Sequence, residues 1–343
     1  MKYQKGFAPP FGAFKKMMKK IISAVLTFTL ILTVFCACSK NAENPETGKN
    51  TSASQTEPDS RKLNVVCTIF PQYDFCREIA GDKIDLTLLL DSKTDLHSFE
   101  PTSEDILKIS KCDLFINIGG ESDDWAEDVI KSSRNDSLTV LSLMDTVETH
   151  EEEALEGQQA EEGEEEEHEQ DEHIWTSLKN AVKMAQAICD KLCELDKDNA
   201  EAYKANCEAY TKKLSDLEKQ YADTVNAAKT KTLLFADRFP FRYLAEDYDL
   251  TCYAAFSGCS AQSEASFETM AFLVNKVKEE NLKYILMIDG SDGSVAESVS
   301  RQSGAGIKTL NSCQSVPPED IENGVSYLSI MLDNLAVLRE VLS

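Results

Sequence analysis

Histidine is scarce in this chain: four in 343 residues, at positions 97, 150, 168 and 173. Basic residues are outnumbered, with Lys and Arg at 35 against Asp and Glu at 60, for a formal charge of −25. So acidic a surface repels phosphate backbones and argues against a nucleic-acid partner. The apolar run at 21–35 is fifteen residues long, short of the ~20 that span a bilayer as a helix. Neither a His-Glu-x-x-His helix nor a Gly-x-Ser-x-Gly elbow occurs, so the usual signatures of a zinc hydrolase or serine esterase are missing and the chain is read as a non-enzyme. Cysteines number eleven, but their irregular spacing in so long a chain is not a disulfide scaffold. Hydrophobic residues at 42% and aromatics at 8% suffice for a large core and exclude a mainly disordered chain.

The N-terminus reads as an export signal. Lys15, Lys16, Lys19 and Lys20 precede the uncharged run, the pattern of a secretory signal. Phe35-Cys36-Ala37-Cys38-Ser39 follows; a small residue before Cys38 is similar to the lipobox of bacterial lipoproteins, with Cys38 as the lipidated residue. Residues 1–38 are thus the signal. Residues 39–62, rich in Asn, Ser, Thr, Glu and Lys, are a tether with too few aliphatic residues to pack. The expectation is a soluble domain lipid-anchored at the outer face of a cell membrane.

From residue 63 short aliphatic runs alternate with helical stretches. Strands are expected at 63–70, 84–90, 114–118 and 139–143, with helices near 74–80, 103–110 and 125–131. The alternation returns with strands at 232–235, 250–255, 284–288 and 307–310 and helices at 241–247, 266–279, 295–301 and 325–341. Such alternation implies parallel sheets flanked by helices. Two α/β lobes follow, at 63–197 and 229–343. Between them Ala200, Tyr203, Cys207, Tyr210, Leu214, Leu217, Tyr221 and Val225 form an apolar stripe on one connecting helix over 198–228. A helical connector predicts small lobe motions rather than wide closure. Residues 148–172 carry 14 carboxylates, no Lys or Arg, and two of the four histidines; this low-complexity stretch reads as a loop.

His97 follows the second expected strand, where open parallel sheets bind ligands. His173 opens a helix directly after the acidic loop. Two imidazoles do not complete a divalent-ion site, which takes three or four ligands. Asp289, at the end of the strand 284–288, faces the same crevice and is the first candidate for a ligand from the second lobe. Asp237 is the next; its alternative is an ion pair with Arg238. Cys259 and Cys313 also follow second-lobe strands, and are read as a disulfide, as metal ligands or as buried thiols. His150 and His168 offer weak capture sites within the acidic loop.

These residues bring a family into view. The chain resembles the metal-binding lipoproteins of bacterial ABC importers, the zinc and manganese uptake class. The resemblance runs from about residue 63 to the end. It rests on Asp95-Leu96-His97-Ser98-Phe99-Glu100-Pro101-Thr102, on Asp171-Glu172-His173-Ile174-Trp175, on Phe235-Ala236-Asp237-Arg238-Phe239-Pro240-Phe241-Arg242-Tyr243 and on Gly258-Cys259-Ser260. It implies a metal cleft between the lobes, with His97 and His173 as ligands from the first and an acidic ligand, at the position of Asp289, from the second. It implies capture of a divalent metal, zinc first and manganese as the alternative, by a monomer that delivers it to an ABC permease. The chain departs from the common pattern where many members carry a third His, here Ala236-Asp237, and where a Ser-Cys-His motif would have His, here Gln314. A surface adhesin or scaffold with a degenerate metal site, or a binder of a metal chelate, is the alternative.

Overall fold

A computed structural model describes residues 61–90, 95–159, 170–260, 262 and 264–343. The expected signal, the lipidation site Cys38, all but the last two tether residues, and His168 lie outside the described residues. The described residues belong to one compact unit.

The first lobe runs β1 (Leu63–Cys67), α1 (Phe70–Ala80), β2 (Ile84–Leu88), α2 (Ser103–Lys111), β3 (Leu114–Asn117), α3 (Asp124–Ser132) and β4 (Thr139–Ser142). Its sheet has the order β2-β1-β3-β4, all parallel. Helices α4 (Leu178–Leu195) and α5 (Ala200–Asn226) follow. The second lobe runs β5 (Thr232–Phe239), α6 (Arg242–Asp247), β6 (Thr251–Ser257), α7 (Phe267–Glu279), β7 (Tyr284–Ile288), α8 (Ser294–Ser303) and β8 (Gly306–Leu310), with α9 (Pro318–Glu322) and α10 (Tyr327–Val341) closing the chain. Its sheet order β6-β5-β7-β8, again parallel, repeats the permutation of the first. In each sheet the first strand lies between the second and the third, so a topological switch point opens at the strands' carboxyl ends.

Strand ends differ from the expectation for local reasons. β1 stops at Cys67 rather than residue 70. The Gln72 carboxamide oxygen accepts from the backbone N–H of Thr68 at 2.9 Å and of Ile69 at 3.3 Å, and Pro71 in the first turn has no N–H to give a ladder. β5 runs on to Phe239 through a bulge between Phe235 and Arg238. Asp237 fills the irregularity: its carboxylate accepts from the N–H of Arg238 at 2.8 Å and of Ile288 on β7 at 3.2 Å.

Helix α5 spans 27 residues, or ~40 Å at 1.5 Å per residue. It buries Tyr203, Cys207, Tyr210, Leu214, Leu217, Tyr221 and Val225, the expected stripe apart from its first member, Ala200. This face packs on α4, α1 and α10. Tyr221 Oη donates to the Met331 carbonyl at 2.6 Å, and the Asn206 amide to the Ile79 carbonyl at 2.9 Å. One apolar cluster therefore runs from Val65 and Phe75 through α5 to Phe235, Leu286 and Leu338. The lobes share a core behind the cleft rather than hanging on strands.

Tyr327 stitches the two halves at the centre of that core. Its N–H donates to Asp74 Oδ2 at 2.8 Å, its hydroxyl to the Trp175 carbonyl at 2.7 Å, and its ring meets Phe75 edge-on at 5.0 Å. Trp175 Nε1 in turn donates to the Ser312 carbonyl at 2.7 Å. Tyr327→Phe keeps the packing but strips a buried carbonyl of its donor. It should cost about 1–2 kcal/mol in urea unfolding; a cost indistinguishable from zero would remove this bond from the account of how the lobes are joined.

Candidate metal centre

His97 lies in a 3-10 turn, Leu96–Ser98, after β2. Asp95 caps that turn by accepting the His97 N–H at 3.1 Å, and Leu96 is sunk in the core. His173 sits just ahead of a second 3-10 turn, Ile174–Thr176, which runs into α4. Fully buried Trp175 pins that turn. Cys259 follows β6 in the second lobe.

These three side chains converge. His97 Nε2 and His173 Nε2 stand 3.2 Å apart, and one donor atom from each of His97, His173 and Cys259 lies within 4.8 Å of the others. Among the described residues no other group of three or more His, Cys, Asp or Glu meets that spacing. Each imidazole is anchored through its other nitrogen: His97 Nδ1 to Ser122 Oγ at 2.7 Å, His173 Nδ1 to Asp171 Oδ1 at 3.1 Å. Such partners set the tautomer and leave Nε2 for a metal. Supporting contacts lock the anchors. Glu172 accepts from the Ser122 N–H at 2.8 Å, and Asp123 accepts from the N–H of Ile118 and Gly119 at 2.8 and 3.0 Å. Gly120 is required beside them: its φ is +82°, and a Cβ there would stand 2.5 Å from Glu172 Oε1.

Charge is distributed unequally over the pair. Burial, then the neighbouring charge of His173, lowers His97 to about 3. Burial works against charge on His173 too, yet the charge and hydrogen bond of Asp171, with Glu152 and Glu172, hold it above the ordinary histidine range. Asp171, which burial alone would raise, is kept below the carboxylate range by His173 and Arg242. A proton shared along the Nε2–Nε2 line thus belongs to His173, which donates to a neutral His97. Burial, then the negative charges of Glu152, Glu172 and Asp171 together with a hydrogen bond to Glu152, push the Cys259 thiol well above its usual value.

The other candidates have different engagements. Asp289 accepts from the Ser312 N–H at 2.5 Å, and Asp237 is bound to the two backbone amides described above; neither belongs to the three-residue group. The Asp237–Arg238 ion pair is replaced: Arg238 Nη1 reaches across the cleft to Asp95 Oδ2 at 2.6 Å, because the bulge turns Asp237 inward to β7. Cys259 and Cys313 are free thiols, not a disulfide; Cys313 is buried against Met331 Sδ at 3.8 Å. His150 pairs with Glu246 on α6. Gln314 is buried and its carbonyl accepts from the Phe70 N–H at 3.3 Å. A cavity of about 450 Å³ opens beside the cluster, lined by His97, Cys259, Asp237, Arg238, Gln262 and Ser291.

A two-lobe α/β protein with paired imidazoles at the strand ends belongs to a known class, the metal-binding components of import systems. The family model described as "ZnuA: Zinc-uptake complex component A periplasmic" matches residues 65–341, and the chain belongs to that family. It is 33% identical over 298 residues to the high-affinity zinc uptake system protein ZnuA of Bacillus subtilis, covering 86% of this chain and 92% of that one. It is 30% identical over 324 residues to the zinc-binding lipoprotein AdcA of Streptococcus pneumoniae, covering 94% of this chain. The match spans only 61% of AdcA's own length. The crystal structure of the Zn(II)-bound ZnuA-like domain of Streptococcus pneumoniae AdcA superposes with a TM-score of 0.68 at 28% identity, over 82% of this chain and 99% of that one. These relatives are named as metal-binding transport components, not enzymes.

Gly258 sets the approach of the lobes at this centre. A Cβ there would lie 2.9 Å from His173 Cε1 and 3.0 Å from the Phe239 carbonyl oxygen. Gly258→Ala should displace the His173 ring and weaken zinc binding roughly 10- to 100-fold, as loss of ligand orientation does, in a chain that remains folded by circular dichroism. Competition against a chelator measures it; unchanged affinity would show that His173 does not need its present position.

Proposed function

We propose that this protein captures zinc outside the cytoplasm and delivers it to an ABC permease in the membrane, held there by a lipid on Cys38. The observation that carries the reading is the convergence of His97, His173 and Cys259 within 4.8 Å, with both imidazoles anchored at Nδ1. His97 and His173 are the first-lobe ligands, and Cys259 supplies the second-lobe ligand that a third histidine would otherwise give. Zinc accepts tetrahedral N and S donors. A thiolate is soft and moves the preference away from manganese. An anchored donor set of this kind argues against a decayed metal site.

The binding chemistry follows from the protons. An ion can engage both Nε2 atoms only if the proton between them leaves. His173 keeps its Nδ1–H on Asp171, and His97 turns its own Nδ1–H to Ser122. Cys259 must also lose its proton, since the thiolate is the ligand. Zinc therefore displaces the thiol proton and the fraction of a proton that His173 carries. Exposed Glu151 and Glu153 on the leading arm of the 148–172 stretch add negative potential that favours cations.

Competitive zinc titration of the full chain tests the proposal. One ion per chain should bind, and His97→Ala, His173→Ala and Cys259→Ser should each lose at least ~10-fold in affinity. A folded wild type that holds no stoichiometric zinc would refute it. The pH profile checks the thiol separately. His97 is already neutral down to about 3, so it adds no competing proton near neutrality. His173 and Cys259 both titrate upward of their ordinary values, so affinity should fall as pH drops and keep rising above pH ~7, with a slope between roughly one and two protons per ion where His173 is charged and about one where it is neutral. A profile that levels off near pH ~7 would mean the thiolate is not a ligand.

A further inference from the structure

The acidic stretch contributes more than charge. Its leading arm, residues 148–159, leaves the first lobe after β4 and lies along the second. The His150 N–H donates to Tyr243 Oη at 3.1 Å, and that hydroxyl donates to the Asp171 carbonyl at 2.7 Å. Arg242 donates to the Glu153 carbonyl. The Gln159 N–H reaches the Ala255 carbonyl on β6 at 3.0 Å, and Glu156 pairs with Lys276 at 3.4 Å. Gly157 lies so close to the Phe272 ring that a Cβ would overlap it. The returning arm is tied to the leading one by the Asp171 N–H on the His150 carbonyl at 2.8 Å, and it continues directly into Asp171, Glu172 and His173. The strap is therefore part of the site's frame.

One side chain of this strap turns toward the metal centre. Glu152 Oε1 accepts from the Gly258 N–H at 2.7 Å, the residue directly before Cys259, and the charge of that carboxylate acts on both the Cys259 thiol and His173. We infer that Glu152 is the fourth metal ligand, supplied by the acidic strap, which closes an N2SO tetrahedron with His97, His173 and Cys259. The inference rests on the proposed zinc site and adds its missing donor. Four donors are what a closed zinc site takes. Two neutral imidazoles, one thiolate and one carboxylate also cancel the charge of a divalent ion, which makes its burial between the lobes tolerable. Glu152 stands outside the three-residue group as placed, so ligation takes a swing of its carboxylate away from the Gly258 amide.

The test is zinc affinity by chelator competition on the full chain, together with the absorption spectrum of the Co²⁺-loaded protein. Glu152→Gln keeps an oxygen for the Gly258 amide and so keeps the strap docked, but its carboxamide is a poor ligand. It should lower zinc affinity ~10- to 100-fold and weaken the tetrahedral Co²⁺ bands while the thiolate-to-cobalt band persists. Glu153→Gln, on an exposed neighbour, should match wild type and so exclude a general charge effect. Wild-type affinity and spectrum in Glu152→Gln would overturn the inference, as would a loss confined to Asp289→Asn. Those results leave the zinc site itself standing, whereas a wild type that binds neither zinc nor Co²⁺ overturns both.

Discussion

The hydrogen bond between His173 Nε2 and His97 Nε2, at 3.2 Å, is the contact from which the rest of the site can be understood. Two imidazole nitrogens this close need a proton or a cation between them. The surroundings decide which ring holds it. Asp171 and Glu172 stabilise charge on His173, while burial and the neighbouring charge keep His97 neutral. Every polar group around the pair serves that arrangement. Ser122 and Asp171 hold the far nitrogens; Glu172, Asp123 and Gly120 hold Ser122. Two nitrogens bound to one tetrahedral ion at ~2.0–2.1 Å would stand roughly 3.3 Å apart, so the spacing of the pair is already close to what an ion needs, and a small rotation of the rings would turn both lone pairs toward it. Such preorganisation limits the reorganisation cost of binding.

Rigidity of that kind depends on how the lobes are joined. Helix α5 and its buried tyrosines lie within the same core cluster as both sheets, and the Tyr327–Trp175–Ser312 chain of bonds ties α10 and the loop after β8 to the turn that carries His173. Opening the cleft widely would break apolar contacts across that shared core, each buried large side chain contributing of the order of 2 kcal/mol. Small local movements cost much less, so entry and exit of an ion are expected to involve movements of that size rather than wide opening.

Much of this was legible in the chain. Short aliphatic runs located the strands within a few residues, because parallel strands buried on two faces are uninterrupted aliphatic runs. The stripe from Tyr203 to Val225 matched the buried face of α5 for the same kind of reason. His97 and His173 were legible because histidine is rare here and both stand at element boundaries. Cys259 was left undecided between disulfide, ligand and buried thiol, since only tertiary approach distinguishes them. Glu152 was invisible: within 14 carboxylates one that docks on Gly258, 106 residues away, has no local signature. Asp237 was left open between a ligand and an ion pair with Arg238; Arg238 pairs with Asp95 instead, because sequence adjacency is a poor guide at a bulge, where successive side chains lose their strand alternation.

Arg238 bears on whether the proposed centre can hold a dication without a third imidazole. It lies near the end of β5 and lines the cavity together with His97 and Cys259, where an unpaired guanidinium would repel a dication. Two features offset it. Its charge is spent on Asp95 across the cleft at 2.6 Å, with the Ser260 carbonyl at 3.4 Å, and Asp95 also holds the turn that presents His97. The same pair thus fastens the second lobe to a first-lobe ligand. The remaining requirement is negative charge within the donor set itself. Replacing a neutral imidazole by a thiolate supplies it, and the thiolate is the softer donor as well. Arginine and aspartate thus offset one another in an ion pair across the cleft, and the cysteine supplies the proposed donor set with the negative charge that a third imidazole would lack.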